Sequence, residues 1–586
     1  MKIAKPKSKS LKPYLHFSIL FSALLWTASS QAAPNAPNDP RDNISAILQK
    51  ELELQLKKSA PPALPKVQKP TEQRKPVAGE QAVQVKNFLF NGNKLLTDQE
   101  LQTVVAKWKD KTLTFDELQS VITDIQEYYS SKNRIGKALL PEQEIKNGIV
   151  SIKIVEGVLG EVVVEQTSPN PRMSVETVKK YFKGEKDSAY IDTKDLQRKI
   201  FILNDLAGIS AVGTYEQGKK EGESNFKVAV EDTPFFKGEV SAANFGSKST
   251  GSNQALINAS LNNISGIGDL FAVNGIKSSG SDYVQGSYAI PIMHEGLKLA
   301  LNASKLNYKT LSSFSSTNQS EGDSKTYGAN ATYPVYRTDR VSVNAKVGFE
   351  TKEYLNTNSL TAVTISDYKI DNMIAGLNGY LYNSDRSSIS YNANLTFGRL
   401  KINDATQSAS DSTAAKTKGS FEKLAFNISR NQSLPDLFNT NWLVSVDGQT
   451  ANKNLNSSEQ MSLGGPYAVR AYPTGQGSGS QGVIIKTELQ YPYNKEFSFG
   501  PFVDVGFIKQ YINTYTDWQG QTRAKNDYSL AATGISAKYK YNEFNVDGTL
   551  AYRIGDNPLR NSTGEQLNAD NDYKKVQAWL RASYSF

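Results

Sequence analysis

The chain has 586 residues, of which 38% are apolar and 21% charged, and that length implies two or more folding units. No stretch beyond residue 33 approaches the roughly 18 consecutive apolar residues of a spanning helix, which excludes a helical membrane protein. The chain contains no Cys, so disulfides, thiol catalysis and cysteine metal sites are excluded, a composition suited to an oxidising compartment.

Lys2, Lys5, Lys7, Lys9 and Lys12 precede an apolar run, Leu15 to Trp26, that ends at Ser30-Gln31-Ala32. A basic start, a short apolar segment and a small-residue end mark a secretory signal peptide over residues 1–32, too short in its apolar part to anchor the chain. Removing it takes away five lysines and leaves 62 basic residues against 58 acidic ones, about +4 instead of the full chain's +9. No Lys/Arg stripe of the kind that neutralises phosphates remains, so no nucleic-acid partner is expected.

Within the N-terminal segment 33–58, Ile44, Ile47, Leu48, Leu52 and Leu56 recur at helical spacing between Asp42 and Lys58, with Asp42 or Asn43 as N-cap. A short amphipathic helix is expected there. Pro61, Pro62, Pro65, Pro70 and Pro76 make 59–80 a linker. A helix so tethered could dock as a plug elsewhere on the protein and leave again, or belong to a disordered tail.

Residues 83–157 read as strand (Val83–Phe90), helix, helix, strand, strand. Both helix starts carry a capping box, Thr97 with Glu100 and Thr114 with Glu117, in which hydroxyl and carboxylate each satisfy an orphan amide. Residues 158–232 repeat the order: strand Val158–Glu165, helix near Ser174–Phe182, helix Asp195–Leu206, strands Ile209–Tyr215 and Phe226–Val230. Small sheets of this kind leave an edge strand open to pair with an extended partner chain.

From 235 to 586 apolar residues alternate with polar ones. Ile389, Tyr391, Ala393, Leu395 and Phe397 fill one face while Ser390, Asn392, Asn394 and Thr396 fill the other. Sixteen such segments run from 235–244 to 576–586. Connections after even-numbered segments are short, as at 293–295, 335–338 and 383–385, whereas those after odd-numbered ones include 309–323, 353–366, 400–419, 452–481, 509–527 and 554–575. A soluble sandwich has no reason to sort its loops by parity. A transmembrane β-barrel of 16 antiparallel strands does, with tight periplasmic turns and long extracellular loops. In lipid the sheet must close, because an open edge would leave backbone groups unsatisfied. The final strand alternates through Tyr584 to a terminal Phe586, a pattern expected to target the chain to the outer-membrane assembly machinery.

Enzyme chemistry has few residues to work with. His16 leaves with the signal peptide and His294 stands alone in a turn, so a triad, a zinc site and a histidine general base lack their residues. Gly477-Ser478-Gly479-Ser480-Gln481-Gly482 matches a dinucleotide fingerprint but precedes a strand instead of a helix. No enzyme activity and no cofactor are expected. The longest loop, 452–481, holds Val469-Arg470-Ala471-Tyr472. On the later segment Phe497, Phe499, Val503, Val505 and Phe507 take the lipid side, which turns Asp504 and Gly506 into the lumen. Arg470 could fold in to meet Asp504 as a bidentate partner, or the two could be separately solvated.

Signal peptide, N-terminal helix, Pro-rich linker, two POTRA-like modules, the sixteen-stranded barrel, the Val469–Tyr472 tetrapeptide and the Asp504-x-Gly506 strand together resemble the outer-membrane transporters of two-partner secretion. These are the haemolysin secretion/activation type within the BamA-like superfamily of POTRA-barrel proteins. More specific are Leu139-Pro141-Gln143-Ile145-Gly148-Val150 and Leu203-Asn204-Asp205-Leu206-Ala207-Gly208. The resemblance implies that the sixth extracellular loop enters the barrel and that Arg470 contacts Asp504, with Val469, Tyr472 and Gly506 forming the rest of a loop-barrel lock. Ala471 stands where the family usually has Gly, which matters if that position needs positive φ.

The expected architecture is a pair of α+β periplasmic modules joined to an all-β barrel in the outer membrane of a Gram-negative cell, in contact with its lipid. The implied function is export of a large partner exoprotein (an adhesin, a haemolysin or a contact-dependent inhibition toxin), whose N-terminal secretion domain is met by POTRA 1 (83–157) and POTRA 2 (158–232). The alternative is a BamA-like factor that inserts other barrels, which shares the architecture but generally carries more POTRA modules. A diffusion porin has no use for residues 42–232.

Overall fold

The computed structural model describes residues 82–184, 189–315, 319–519, 525–560, 563–566 and 568–586. The signal peptide, the helix expected at 42–58 and the linker 59–80 lie outside the described residues.

In the first module the expected single strand is interrupted at Lys86, whose amide donates to the carbonyl of Gly148 at 2.7 Å. Val83–Val85 pairs antiparallel with Lys111–Leu113, and Asn87–Asn91 pairs parallel with Ile149–Glu156, which also takes Gly136–Leu139 on its other edge. Helices α1 (Asp98–Val105) and α2 (Phe115–Ser131) start at Thr97 and Thr114, and both capping boxes are closed in both directions. One face of α2 buries Leu118, Val121, Ile122, Ile125 and Tyr129 against Phe88, Val150 and Ile152 of the sheet. At roughly 1.5–3 kcal/mol per large apolar side chain, burial of this face outweighs the intrinsic propensity of the helix.

The second module has the same order with α3 (Val175–Lys180) and α4 (Thr193–Asn204) over a sheet in which Val158–Gln166 is parallel, and Ile209–Gln217 antiparallel, to a central Glu223–Asp232.

The remaining chain is a closed sixteen-stranded barrel. Its strands 1 to 16 are Phe236–Ala243, Gln254–Asn262, Leu270–Lys277, Ser281–Pro291, Lys298–Lys309, Ser320–Arg337, Val341–Asn358, Thr364–Tyr382, Ser387–Ile402, Gly419–Leu434, Thr440–Ala451, Gln481–Pro492, Phe497–Lys509, Asp527–Tyr541, Phe544–Ile554 and Val576–Ser585. Register turns the sequence alternation into two surfaces. Leu301, Ala329, Phe349, Met373 and Phe397 are cross-strand neighbours and all exposed on the outside. One step along, Asn302, Gly328, Glu350, Asn372 and Gly398 form the matching row on the lumen side. An apolar belt of this extent would be an aggregation site in water and is the ordinary lipid face of a membrane barrel.

Strands 6 to 9 run further than their patterns predict, so that 309–323 and 353–366 shrink to connections of 310–319 and 359–363. Beyond the bilayer both faces of a strand are wet, the apolar contrast disappears, and hydrogen-bonded pairing continues without it. The connection before strand 10 also contains a helix, α5 (Ala405–Thr413), that no periodicity announced.

Barrel and second module meet through the Leu203–Gly208 motif. Asp205 follows α4 and accepts from Arg337 Nε at 2.9 Å and Nη2 at 3.0 Å at the end of strand 6. Arg337 lies over the ring of Phe201 at 4.9 Å, Arg198 donates to the carbonyl of Pro334 at 2.8 Å, and Ala207 donates to that of Gly268 at 3.3 Å. His294 is not solitary: its ring meets that of Tyr181 edge-on at 4.9 Å.

Candidate functional site

The connection between strands 11 and 12, residues 452–480, turns inward and packs on the inner wall. Leu463, Val469, Ala471 and Tyr472 share a buried cluster with Ile484, Phe502, Ile508, Leu530, Ala532 and Ala551, all on the lumenal side of strands 12 to 15. Tyr472 and Leu463 are fully buried. A lumenal wall patch of Ile, Leu, Phe and Ala would be costly beside water, and the loop covers it.

Inside this apolar seat lies an ionic centre. Arg470 Nε donates to Asp504 Oδ2 at 2.8 Å, Nη2 to Oδ1 at 2.8 Å, and the Arg470 amide to Oδ2 at 3.1 Å. Nη1 donates to Glu488 on strand 12, whose other oxygen accepts from Ser536 Oγ at 2.8 Å. The guanidinium sits 3.4 Å from the ring centre of Phe502, and the Arg470 carbonyl accepts from Trp579 Nε1 of strand 16 at 2.7 Å. Asp504 is 0% exposed and Arg470 9%. Lys486, the cross-strand neighbour of Asp504, sends its ammonium instead to the Tyr467 carbonyl at 2.6 Å and to Asp447 at 3.3 Å. Asp504 is thereby left to the arginine, whose planar fork suits a fork-to-fork carboxylate pair.

Gly506 lies one inward step beyond Asp504. A Cβ there would come within 2.8 Å of Leu463 and 3.0 Å of Val469, so the missing side chain is what admits the loop. The space beside Asp504 is therefore taken by apolar loop residues as well as by the guanidinium. Ala471 is not among the described non-glycine residues with positive φ and is 1% exposed. The alanine is therefore free of the strain that a left-handed backbone would impose. Ser478–Gly479 forms a short strand just before strand 12, which begins at Gln481.

Of the residues singled out from sequence, Val469, Arg470, Tyr472, Asp504 and Gly506 are thus brought together. Tyr584 and Phe586 are not part of this site. They lie at the periplasmic end of the seam between strands 16 and 1, where Phe586 and Gly238 exchange backbone hydrogen bonds of 2.9 and 2.8 Å and the Phe586 ring lies 5.7 Å from that of Phe236. Sequence reasoning missed Glu488, Phe502, Leu463 and Trp579. The inward parity of Glu488 was readable from strand 12, but nothing local separates it from other polar lumenal residues.

The chain matches the family model described as haemolysin secretion/activation protein ShlB/FhaC/HecB over residues 222–523, and residues 83–157 match the POTRA domain of ShlB type. It is 28% identical over 513 residues to the heme/hemopexin transporter protein HuxB of Haemophilus influenzae (strain 86-028NP), covering 85% of each chain. It is 23% identical to the outer membrane transporter CdiB of Dickeya dadantii, covering 72% of this chain and 76% of that one. The solved structure of CdiB from Escherichia coli superposes with a TM-score of 0.66 at 19% identity, over 94% of this chain and 100% of that one.

Proposed function

This chain belongs to the haemolysin secretion/activation family, and from that premise we propose that it is the outer-membrane pore of a two-partner system, passing a large exoprotein from periplasm to cell surface. It is a transporter and not an enzyme. The family, together with relatives that are named as transporters, favours export over insertion of other barrels. The observation that carries the mechanism is a closed barrel whose own loop is clamped to its inner wall by Arg470, Asp504 and Glu488.

In this reading the partner arrives unfolded and its secretion domain adds a strand to an open edge of a periplasmic module. The second module offers Ile209–Gln217, an edge strand on which Val212 is 58% and Tyr215 38% exposed. Backbone pairing gives affinity without a folded ligand. The lumen then opens when loop 452–480 leaves its seat, together with the helix expected at 42–58, and folding outside supplies direction. Val469, Tyr472 and Gly506 set the apolar half of the lock and Arg470 with Asp504 the ionic half. Phe586 and Tyr584 complete a last strand suited to recognition by the barrel assembly machinery.

Pull-down of the cognate secretion domain by the full chain tests the first step, and binding that survives deletion of 83–232 overturns it. Secretion of the partner by an Asp504→Lys variant tests the lock; export at the wild-type level removes it.

A further inference from the structure

Loop 452–480 has a second ionic contact with the wall, in a different sector and of opposite polarity. Glu459 closes the short 3-10 turn Ser457–Glu459 and is 2% exposed. Its Oε1 accepts from Lys352 Nζ of strand 7 at 3.0 Å and its Oε2 from Lys423 Nζ of strand 10. Asn372 Nδ2 of strand 8 lies 3.5 Å from Oε1, and Gln449 Nε2 of strand 11 donates to the Glu459 carbonyl at 3.0 Å. The wall supplies one carboxylate of its own, Glu350, 2.9 Å from Lys352 and held by Asn372 at 2.9 Å.

At rest two ammoniums therefore face two carboxylates, and only Glu459 belongs to the loop. Both lysine side chains are 13% exposed. Withdrawal of the loop removes Glu459, the carboxylate that both ammoniums share, and leaves this sector of the wall with an excess of positive charge. An unbalanced charge in such a place draws in another anion. Both lysines stand on hydrogen-bonded strands of the closed barrel and not on the loop, so they stay with the wall when the loop goes.

We propose that Lys352 and Lys423 form a carboxylate-binding site on the lumenal wall, filled at rest by Glu459 and taken over by acidic side chains of the polypeptide in transit. Competition for this site would release the base of the loop from the wall. The site rests on the export reading for its natural ligand, but its chemistry is readable without any partner.

The chain has no Cys, so a single cysteine at Ser458, 6% exposed at rest, reports on loop release by maleimide labelling of purified, folded protein. In that background Glu459→Gln is expected to raise the labelling rate roughly tenfold or more, as loss of one member of a buried ion pair implies. A soluble polyglutamate peptide should accelerate labelling when Glu459 is present, a polyglutamine peptide of equal length should not, and the acceleration should vanish in Lys352→Gln/Lys423→Gln. Heat-modifiable migration in gels confirms that each barrel is folded. Labelling of Glu459→Gln at the parental rate, or equal acceleration by both peptides, overturns the site. Failure of the export reading would show elsewhere, as continued secretion of the partner in cells lacking this chain, and would leave the labelling results unchanged.

Discussion

Replacing Arg470 by Ala tests the ionic half of the lock most directly. The change strands Asp504, which is 0% exposed, and Glu488, whose side chain is 13% exposed, without the cation that both contact. Breaking a buried pair by removing one partner costs roughly 3–5 kcal/mol, which moves the ratio of docked to released loop by about two to three and a half decades. Leu463 and Val469 remain in their seat and still favour docking by roughly 1.5–3 kcal/mol each. Arg470→Ala is therefore expected to open intermittently in planar bilayers, with a raised open probability and not a permanently open pore. The decisive comparison is with Arg470→Ala/Asp504→Asn. Neutralising Asp504, the more deeply buried of the two stranded carboxylates, removes the larger part of the penalty, because an unpaired buried charge is costlier than an absent pair. The double variant should thus be quieter than Arg470→Ala alone. An open probability for Arg470→Ala equal to the wild type, or a double variant whose effect is the simple sum of the two singles, refutes this reasoning.

Gly506→Val should also raise conductance, by crowding Leu463 and Val469 without touching a charge, and its effect should persist in high salt, where surface electrostatics are screened. At the joint with the second module Arg337 is 8% exposed and Asp205 36%. Asp205→Ala should therefore loosen the module more than Arg337→Ala does, by about 1 kcal/mol after allowance for solvent, read as faster amide exchange at the end of α4. The charge-swapped pair should recover part of it, and identical exchange in both single variants argues against the assignment. Thr97→Ala opens the capping box of α1 and should cost about 1 kcal/mol locally, seen as faster exchange in Asp98–Val105 with the barrel unaffected. Deleting Phe586 should lower the amount of protein in the outer membrane while refolding into detergent in vitro stays intact; equal membrane levels would remove its targeting role.

The class of the barrel, the number of its strands and the residues that face its lumen were all legible in the amino-acid order. Lipid outside and water inside impose a period of two on every strand, a constraint each segment carries alone, so Asp504 and Gly506 were identifiable as inward residues without knowledge of their neighbours. The capping boxes of α1 and α2 were legible for the same reason, since each closes within one helical turn. Where the loop rests is instead a matter of three-dimensional packing. Arg470 and Asp504 stand 34 residues apart and Asp205 and Arg337 132, and each pairing depends on strand register and on the path of a connecting segment that no local pattern encodes. Glu488 and Glu459 were invisible on the same account: a polar residue on a wet face looks alike whether it meets solvent or a buried cation. Strands 6 and 7 outran their patterns because the periodic signal comes from the bilayer, whereas the hydrogen-bonded ladder that extends them needs only a partner strand.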